Sequence, residues 1–323
     1  MFNAYASSKG PNRPVHYKLG QKLPARHWYQ KSVGWFGYVI MFVLVLGAVG
    51  LSANTYTDVR SAKQHAAETS KKPVLKAQAS TIQSDPTLNN IVDVQSVVDK
   101  WTSEHPNQKW GVVAKSISGP SFEARVNADR EFESASIYKL FLTLPLFNQI
   151  PVEQQSKINV AVNGNKKSIA TCVDLMLRLS NNECGEAIGF YLNWKKADES
   201  LKRSGFTHTQ FNKSDKLKTS AGDTALFLET LNGDMFTRNA RDTIMKSLYE
   251  QRYRAGIPNG CPGCIVANKT GQIDNVMHDA AIVQYKGGSY VLVIFSENGN
   301  FKQISELTGQ IQQKIIDSTT VRK

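Results

Sequence analysis

The stretch Phe132-Glu133-Ser134-Ala135-Ser136-Ile137-Tyr138-Lys139 runs directly into the apolar segment Leu140 to Phe147. A serine followed three residues later by a lysine, at the start of a helix, places a hydroxyl and an amine on one helix face. The free N–H groups of the first helical turn lie beside them. These are the groups that a serine acyl-transfer reaction needs: a nucleophile, a base and oxyanion donors. The apolar residues that follow cover every side of the helix, which predicts that it is buried and central.

Two further motifs follow this stretch. Ser180-Asn181-Asn182 reads as S-x-N, and Lys269-Thr270-Gly271 reads as K-T-G after the strand-like run Ile265 to Asn268. S-x-N also occurs at Ser52 and Ser296, so it is informative only through its position, whereas S-x-x-K and K-T-G each occur once. The order S-x-x-K, S-x-N, K-T-G is the signature of penicillin-recognising serine enzymes. The chain therefore resembles the class A β-lactamases and D-alanyl-D-alanine peptidases.

The resemblance extends beyond the three motifs. The segments 255–260 and 279–283 look like the approach to the K-T-G strand and the strand after it in class A β-lactamases. The segment 175–180 resembles the helix that precedes S-x-N, and 219–223 resembles the helix start after their omega loop. Roughly the last 230 residues are covered on a length-based reading. The resemblance implies an α/β fold of the β-lactamase/transpeptidase type.

The resemblance also implies catalytic roles. Ser136 would attack a carbonyl carbon, and Lys139 would take its proton as a neutral amine, a state that burial and a second cation at Lys269 favour. Ser180 would relay a proton to the leaving nitrogen. Taken singly, these residues have ordinary interpretations: a helix N-cap for Ser136, a surface lysine for Lys139 and a turn at the S-x-N motif.

Substrate contacts are implied in the same way. Asn182 would hydrogen-bond the substrate amide, and Lys269 with Thr270 would hold its carboxylate. Gly271 lets the strand approach the ligand closely. The backbone N–H of Gln272 would form the oxyanion hole with that of the nucleophile, and its side chain is larger than is usual in the family, so it is expected to crowd the mouth of the site.

One departure from the family concerns release of the acyl group. Class A β-lactamases carry an omega-loop glutamate that activates the deacylating water, and the corresponding span Gly205 to Gly222 contains no glutamate. Its only carboxylate, Asp215, is interpreted as a solvated loop residue. Glu183 follows the S-x-N motif, but nothing in the sequence places it on the correct face. A long-lived acyl-enzyme is expected.

The four cysteines form two sequence pairs. Cys172 and Cys184 flank the S-x-N motif and are candidates for a disulfide outside the membrane. Cys261 and Cys264 would either close a small loop or remain thiols. A redox role and a four-cysteine zinc site are both disfavoured by context and spacing. No histidine belongs to a metal-ligand motif, so we expect neither metal nor cofactor.

The N-terminal region predicts export. The net charge of the chain is +12, and residues 1–31 carry six Lys or Arg and no Asp or Glu. Residues 32–54 form an uncharged segment in which Val33 to Ala53 is an apolar run of 21 residues, long enough to span a hydrocarbon core of about 30 Å. The positive-inside rule places residues 1–31 in the cytoplasm. An uncleaved anchor in a bacterial cell membrane is preferred over a cleaved signal peptide, and both export the domain.

The rest of the chain is expected to contain a polar linker, residues 55–89, and a catalytic domain, residues 90–323. Strand-like runs at both ends of the domain and helices between them predict one antiparallel sheet built from the chain ends, with a helical lobe beside it. The basic tail adjoins a membrane segment, so topology explains it better than nucleic acid does. The catalytic domain is expected to be monomeric.

Three functions fit these observations. The first is a membrane-anchored serine hydrolase that opens β-lactams through an acyl-serine. The second is a D-alanyl-D-alanine carboxypeptidase or penicillin-binding protein acting on peptidoglycan. The missing glutamate and the membrane anchor both favour this function. The third is a sensor or trap that is acylated without turnover; the short tail offers no recognisable output domain, which counts against it.

Overall fold

The computed structural model describes residues 91–211 and 216–320. The expected cytoplasmic tail, membrane anchor and linker lie outside these residues. Among the helices that are described, none combines the length and the apolarity that crossing a bilayer requires.

A five-stranded antiparallel sheet in the order β2-β1-β9-β8-β7 forms the centre of the domain. Two strand pairs, β3 with β6 and β4 with β5, lie outside it. The strands are β1 Lys109–Ser118, β2 Glu123–Val126, β3 Glu131–Glu133, β4 Asn159–Val162, β5 Asn165–Ser168, β6 Lys218–Ser220, β7 Ile265–Ile273, β8 Val276–Tyr285 and β9 Gly288–Glu297. The first and last strands of the domain are neighbours, because Val112 of β1 pairs with Ile294 of β9. The prediction of an antiparallel sheet built from both ends of the domain is confirmed.

Helices occupy most of the chain between β3 and β7. They are α1 Gln95–Glu104, α2 Tyr138–Gln149, α3 Val152–Gln155, α4 Ile169–Arg178, α5 Asn182–Leu192, α6 Trp194–Arg203, α7 Ala221–Thr230, α8 Arg238–Tyr249, α9 Ile257–Gly260 and α10 Phe301–Thr320. Together with the sheet they give the α/β arrangement that the sequence predicts.

Helix α2 is the centre of the helical lobe. Every residue from Tyr138 to Phe147 is buried, as expected for a helix that is apolar on all sides. It packs with α4, α5, α6 and α7 and with one face of the sheet in one hydrophobic core. The other face of the sheet packs against α1 and α10, where Ile304, Leu307, Ile311 and Ile315 are buried. The sheet therefore separates two cores, and the start of α2 is anchored in one of them.

Sequence periodicity did not predict the small hairpin β4–β5 inside the helical region. Its two strands pair with Val162 opposite Asn165, so the connection is the two-residue turn Asn163-Gly164. Both turn residues have positive φ, 49° and 78°, as a tight hairpin turn of this kind requires. Four-residue strands are too short for an alternation pattern to stand out, and the Asn-Gly pair was the available signal.

Candidate active site

Ser136 lies in a single 3₁₀ turn, Ala135–Ile137, immediately before α2. We call Ser134 to Ile137 the nucleophile segment. The N–H of Ser134 donates to the carbonyl of Leu217 at 2.8 Å, and the N–H of Ile137 donates to the carbonyl of Ser134 at 2.9 Å. Ala135 has a φ of 45°, a conformation that non-glycine residues hold only when surrounding contacts enforce it. The serine is thus presented on a rigid, locally strained turn.

Lys139 links the first two motifs. Its side chain is fully buried, and its Nζ donates to the Oγ of Ser136 at 2.9 Å. The same amine donates to the backbone carbonyl of Ser180 at 2.7 Å and to the Oδ1 of Asn182 at 2.6 Å. The amine is therefore in hydrogen-bonding distance of the nucleophile and fixed by two further acceptors.

Lys269 adds the third motif. It is also fully buried, and its Nζ donates to the Oγ of Ser180 at 2.8 Å and to the carbonyl of Thr270 at 2.6 Å. Ser180 itself has a φ of 57°, which turns its carbonyl and hydroxyl toward the two different amines. The three motifs, separated by long intervals of chain, meet through this one residue.

A helix pair and a disulfide hold the S-x-N loop. Asn181 caps α5 by accepting from the N–H of Cys184 at 2.8 Å, and its own N–H donates to the carbonyl of Leu175 in α4 at 3.1 Å. Cys172 of α4 and Cys184 of α5 form a disulfide with a Cα–Cα distance of 4.9 Å. The loop is therefore constrained at both ends.

The other two cysteines, Cys261 and Cys264, also form a disulfide, so of the two alternatives left open the structure has the closed loop. They line a cavity of about 840 Å³ to which none of the predicted catalytic or substrate-binding residues contributes. No group of three or more metal-ligating side chains occurs within residues 91–211 and 216–320.

Gly271 fits against the nucleophile segment. A Cβ at this position would lie 3.1 Å from Cγ1 of Ile137 and 3.2 Å from Cβ of Ala135. Because Gly271 has no side chain, the edge strand β7 can pack closely against the turn that carries Ser136. This packing is a second reason for a glycine here, besides any ligand contact.

Burial sets the protonation behaviour of both lysines. It lowers the pKa of Lys139 to about 7, and the carboxylates of Glu183 and Glu186 oppose that shift. Burial also lowers the pKa of Lys269 well below its ordinary value, and the charge on Lys139 lowers it further. Charge repulsion acts on both amines, so the site favours a state in which at most one of the two lysines is protonated.

A buried carboxyl group lies behind Lys269. Asp279 accepts from the Nδ2 of Asn268 and from the N–H of Ile257, each at 2.9 Å. Burial raises the pKa of Asp279 to about 7, and its charge, when present, raises the pKa of Lys269. Lys269 thus has a titratable neighbour on strand β8, where Asp279 pairs with Thr270, and the motif alone does not reveal it.

The cleft consists of two adjoining cavities that share Ser136, Asn182 and Gln272. One, of about 250 Å³, is lined by those residues with Ser180, Tyr253, Thr270 and Phe301. The other, of about 340 Å³, is lined by Glu133, Ser134, Ala135, Ser136, Tyr138, Asn182, Glu186, Trp194, Lys216, Leu217, Gln272 and Ile273. Lys139, Lys269 and Gly271 are buried behind these walls, and Gln272 is exposed at the mouth of both.

Sequence reasoning did not identify several of these lining residues. Glu186 could have been found, because it lies four residues after Asn182 and hence on the same face of α5. Nothing in the sequence marked Tyr253, Trp194 or Phe301, which reach the cleft only through tertiary packing.

The sequence contains two carboxylates that were considered for acyl release, Asp215 and Glu183. Asp215 lies outside the described residues. Glu183 is exposed, accepts a hydrogen bond from the Nδ2 of Asn181 at 2.7 Å, and lines neither cavity of the cleft. Lys216 and Leu217, both within the span Gly205 to Gly222, line the cleft.

Comparisons with known proteins agree with this geometry. Among solved structures, PBP-A has a fold similar to that of this chain, with a TM-score of 0.62 and 18% sequence identity. The match covers 70% of this chain and 97% of that chain. A PBP-A mutant in an acyl-enzyme complex with penicillin G matches with the same values. A β-lactamase from Sphaerobacter thermophilus matches with a TM-score of 0.62 and 16% identity over 71% of this chain and 98% of that chain. At these identities the likeness concerns the fold.

The search of curated protein sequences found no match. A protein-family model described as the β-lactamase enzyme family matches residues 93–319, which include all three motifs and both cavities of the cleft. Because this match covers most of the chain, it establishes the family. This chain belongs to the β-lactamase enzyme family and is a β-lactamase-like serine hydrolase.

Proposed function

We propose that this protein is a membrane-anchored, extracytoplasmic serine hydrolase that β-lactams acylate at Ser136. The observation that carries the proposal is the 2.9 Å contact between Lys139 Nζ and Ser136 Oγ. A buried amine whose pKa is lowered to about 7 is neutral in a large share of molecules near neutral pH. Such an amine can accept the serine proton.

Acylation then follows from the contacts of these residues. Ser136 Oγ attacks the carbonyl carbon of the β-lactam, and its proton passes to Lys139. As the C–N bond of the ring breaks, the ring nitrogen receives a proton from the hydroxyl of Ser180, which lies in the cleft wall. The proton that Lys139 took from Ser136 then passes to the Ser180 oxygen, so Lys139 becomes neutral again. Lys269 is in contact with that hydroxyl and can stabilise it while it loses its proton. The product is an ester between the opened lactam and Ser136.

Substrate recognition uses the groups that face the cleft. The Oδ1 of Asn182 is occupied by Lys139, which leaves its Nδ2 to donate to a substrate amide carbonyl. The Thr270 side chain lines the cleft beside the buried Lys269. An arriving carboxylate favours the charged form of Lys269, so the site gains positive charge when the anionic substrate binds. The backbone N–H groups of Ser136 and Gln272 are the proposed oxyanion donors, worth about 3 kcal/mol each at the transition state.

A D-alanyl-D-alanine carboxypeptidase is the second candidate, because the span 205–222 has no glutamate. PBP-A, with which this chain shares its fold, forms an acyl-enzyme with penicillin G in mutant form, which fits either candidate. The first half-reaction is the same in both, and the two differ in which acyl group is released into water.

Location outside the cytoplasm rests on the sequence. The anchor at Val33 to Ala53 and the polar linker would hold the catalytic domain near the outer membrane surface, where both β-lactams and peptidoglycan stems are available. The domain would act as a monomer.

Incubation of the full-length chain with a chromogenic cephalosporin tests the proposal. Absorbance reports ring opening, and the mass of the intact protein reports the covalent adduct. We expect one adduct per chain. Release of D-alanine from a peptide ending in D-alanyl-D-alanine separates the two candidates: release without efficient cephalosporin turnover supports the peptidase. The absence of both ring opening and any adduct contradicts the proposal.

A further inference from the structure

Hydrolysis of the acyl-enzyme needs a base near the ester that can take a proton from water. The carboxylates that line the two cavities of the cleft, among the described residues, are Glu133 and Glu186. Glu133 accepts from the amine of Lys216 at 2.6 Å in an ion pair. That carboxylate is therefore already engaged by a neighbouring cation. Glu186, on α5, is therefore the remaining candidate for the base.

Glu186 is exposed and lies in the wall of the 340 Å³ cavity that also contains Ser136. Within the part of the chain that the structure describes, its carboxylate has no hydrogen-bond or ion-pair partner. Helix α5 runs very close to the nucleophile's helix here, since a Cβ on Gly185 would lie 2.9 Å from Cε of Lys139 and 2.7 Å from the phenolic oxygen of Tyr138. The carboxylate of the next residue is thus carried to the site by a tight helix contact.

The electrostatics of the site agrees with this placement. The charge on Glu186 raises the pKa of Lys139 and also that of the Tyr138 phenol, which burial raises first. The phenol therefore remains protonated and can donate to a water molecule in the cavity. A donor at Tyr138 and an acceptor at Glu186 are the two groups that would orient a water.

We propose that Glu186 is the general base that activates the water for hydrolysis of the acyl group on Ser136. This role rests on the proposed acylation of Ser136 and replaces the omega-loop glutamate that the chain lacks. The water oxygen bonds to the ester carbonyl carbon as one of its protons moves to Glu186. The bond between that carbon and Ser136 Oγ then breaks, and the proton that Glu186 took from the water passes to Oγ through Lys139, which ends neutral. One water is consumed, and the acid and the free serine are released.

The test compares the full-length chain with Glu186→Gln and with Glu183→Gln as a matched control. Both substitutions remove a carboxylate that raises the pKa of Lys139, so any effect transmitted through Lys139 appears in both. Stopped-flow absorbance with a chromogenic cephalosporin gives the acylation rate, and the decay of the adduct mass after removal of free drug gives the deacylation rate.

We expect Glu186→Gln and Glu183→Gln to acylate at similar rates, and Glu186→Gln to deacylate about 10²-fold to 10⁴-fold more slowly than the unmodified chain, the range for loss of a general base. Glu183→Gln should deacylate normally, and Glu186→Asp, which keeps a carboxylate, should recover part of the rate. Equal slowing in both glutamine variants overturns the inference, as does an adduct that persists equally in the unmodified chain. In those cases the adduct on Ser136 still forms, so the proposed function stands; a chain that forms no adduct overturns both.

Discussion

Lys139 and Lys269 donate hydrogen bonds to the same residue, one to the carbonyl of Ser180 at 2.7 Å and the other to its hydroxyl at 2.8 Å. Two buried amines at one serine repel each other when both are charged. The site therefore favours a state with fewer than two protonated amines, and an anionic substrate shifts that balance.

The acylation rate should rise with pH. The pKa of Lys139 is lowered to about 7, so its amine becomes neutral, and able to act as a base, as pH rises through that value. The second-order rate constant for cephalosporin acylation should increase from about pH 5 and level off above about pH 8, with a half-maximum near the pKa of Lys139. Stopped-flow measurements across this range check it. A rate constant that is flat, or that falls, would show that Lys139 is not the base.

Asn182→Asp should move that profile to higher pH. The side-chain oxygen of Asn182 lies 2.6 Å from Lys139 Nζ, and a carboxylate there would raise the pKa of Lys139 by about 1 to 3 units. Acylation near neutral pH should therefore slow, with recovery at high pH. Asn181→Asp is the matched control, since it keeps the cap of α5 and adds a carboxylate at a position that does not line the cleft. Equal shifts in both variants would contradict the direct contact.

Loss of the Cys172–Cys184 disulfide should lower both stability and activity. A double serine variant removes a link across 12 residues, which should lower the free energy of unfolding by about 3 kcal/mol. It also frees the S-x-N loop, so acylation should slow. The Cys261–Cys264 pair, which spans 3 residues and lies away from the cleft, is the control: its double serine variant should lose less stability and acylate normally. Denaturant unfolding and acylation kinetics separate these outcomes.

His278 should make the domain less stable in acid. Its Nε2 contacts the carbonyl of Glu133 at 2.9 Å, and its Nδ1 accepts from the N–H of Ser296 at 3.2 Å, an arrangement that needs the neutral ring. Burial lowers the pKa of His278 from 6.5 to about 4, so this contribution is complete above 6.5 and is lost as pH falls through 4. Relative to a His278→Gln variant, the unmodified chain should lose about 3 kcal/mol of unfolding free energy across that window. A difference that does not change with pH would contradict this.

The sequence predicted the main outline of the fold because its signals were strong there. Helix α2 is apolar on every side, and the buried face of α10 repeats at helical spacing. Weaker signals led to misses. The strands of the β4–β5 hairpin have four residues each, and the positive φ of Ala135 and Ser180 arises from tertiary contacts that no local pattern records.

The candidate site likewise has some features that the sequence predicts and others that it does not. The order of the motifs identified Ser136, Ser180 and Lys269 as candidate site residues. In the structure Lys139 connects Ser136 with Ser180, and Lys269 contacts Ser180. The protonation states of the two lysines could not be predicted in this way, because they depend on how deeply the fold buries each amine. The place of Glu186 in the cleft wall likewise depends on how closely α5 approaches α2.

The most direct test of the central claim is to locate the adduct. The full-length chain and its Ser136→Ala variant are treated with the same β-lactam, digested and mapped by mass spectrometry. We expect the drug on the peptide that contains Ser136 in the unmodified chain and no adduct in the variant. An adduct on another residue, or labelling that survives the substitution, would show that Ser136 is not the nucleophile.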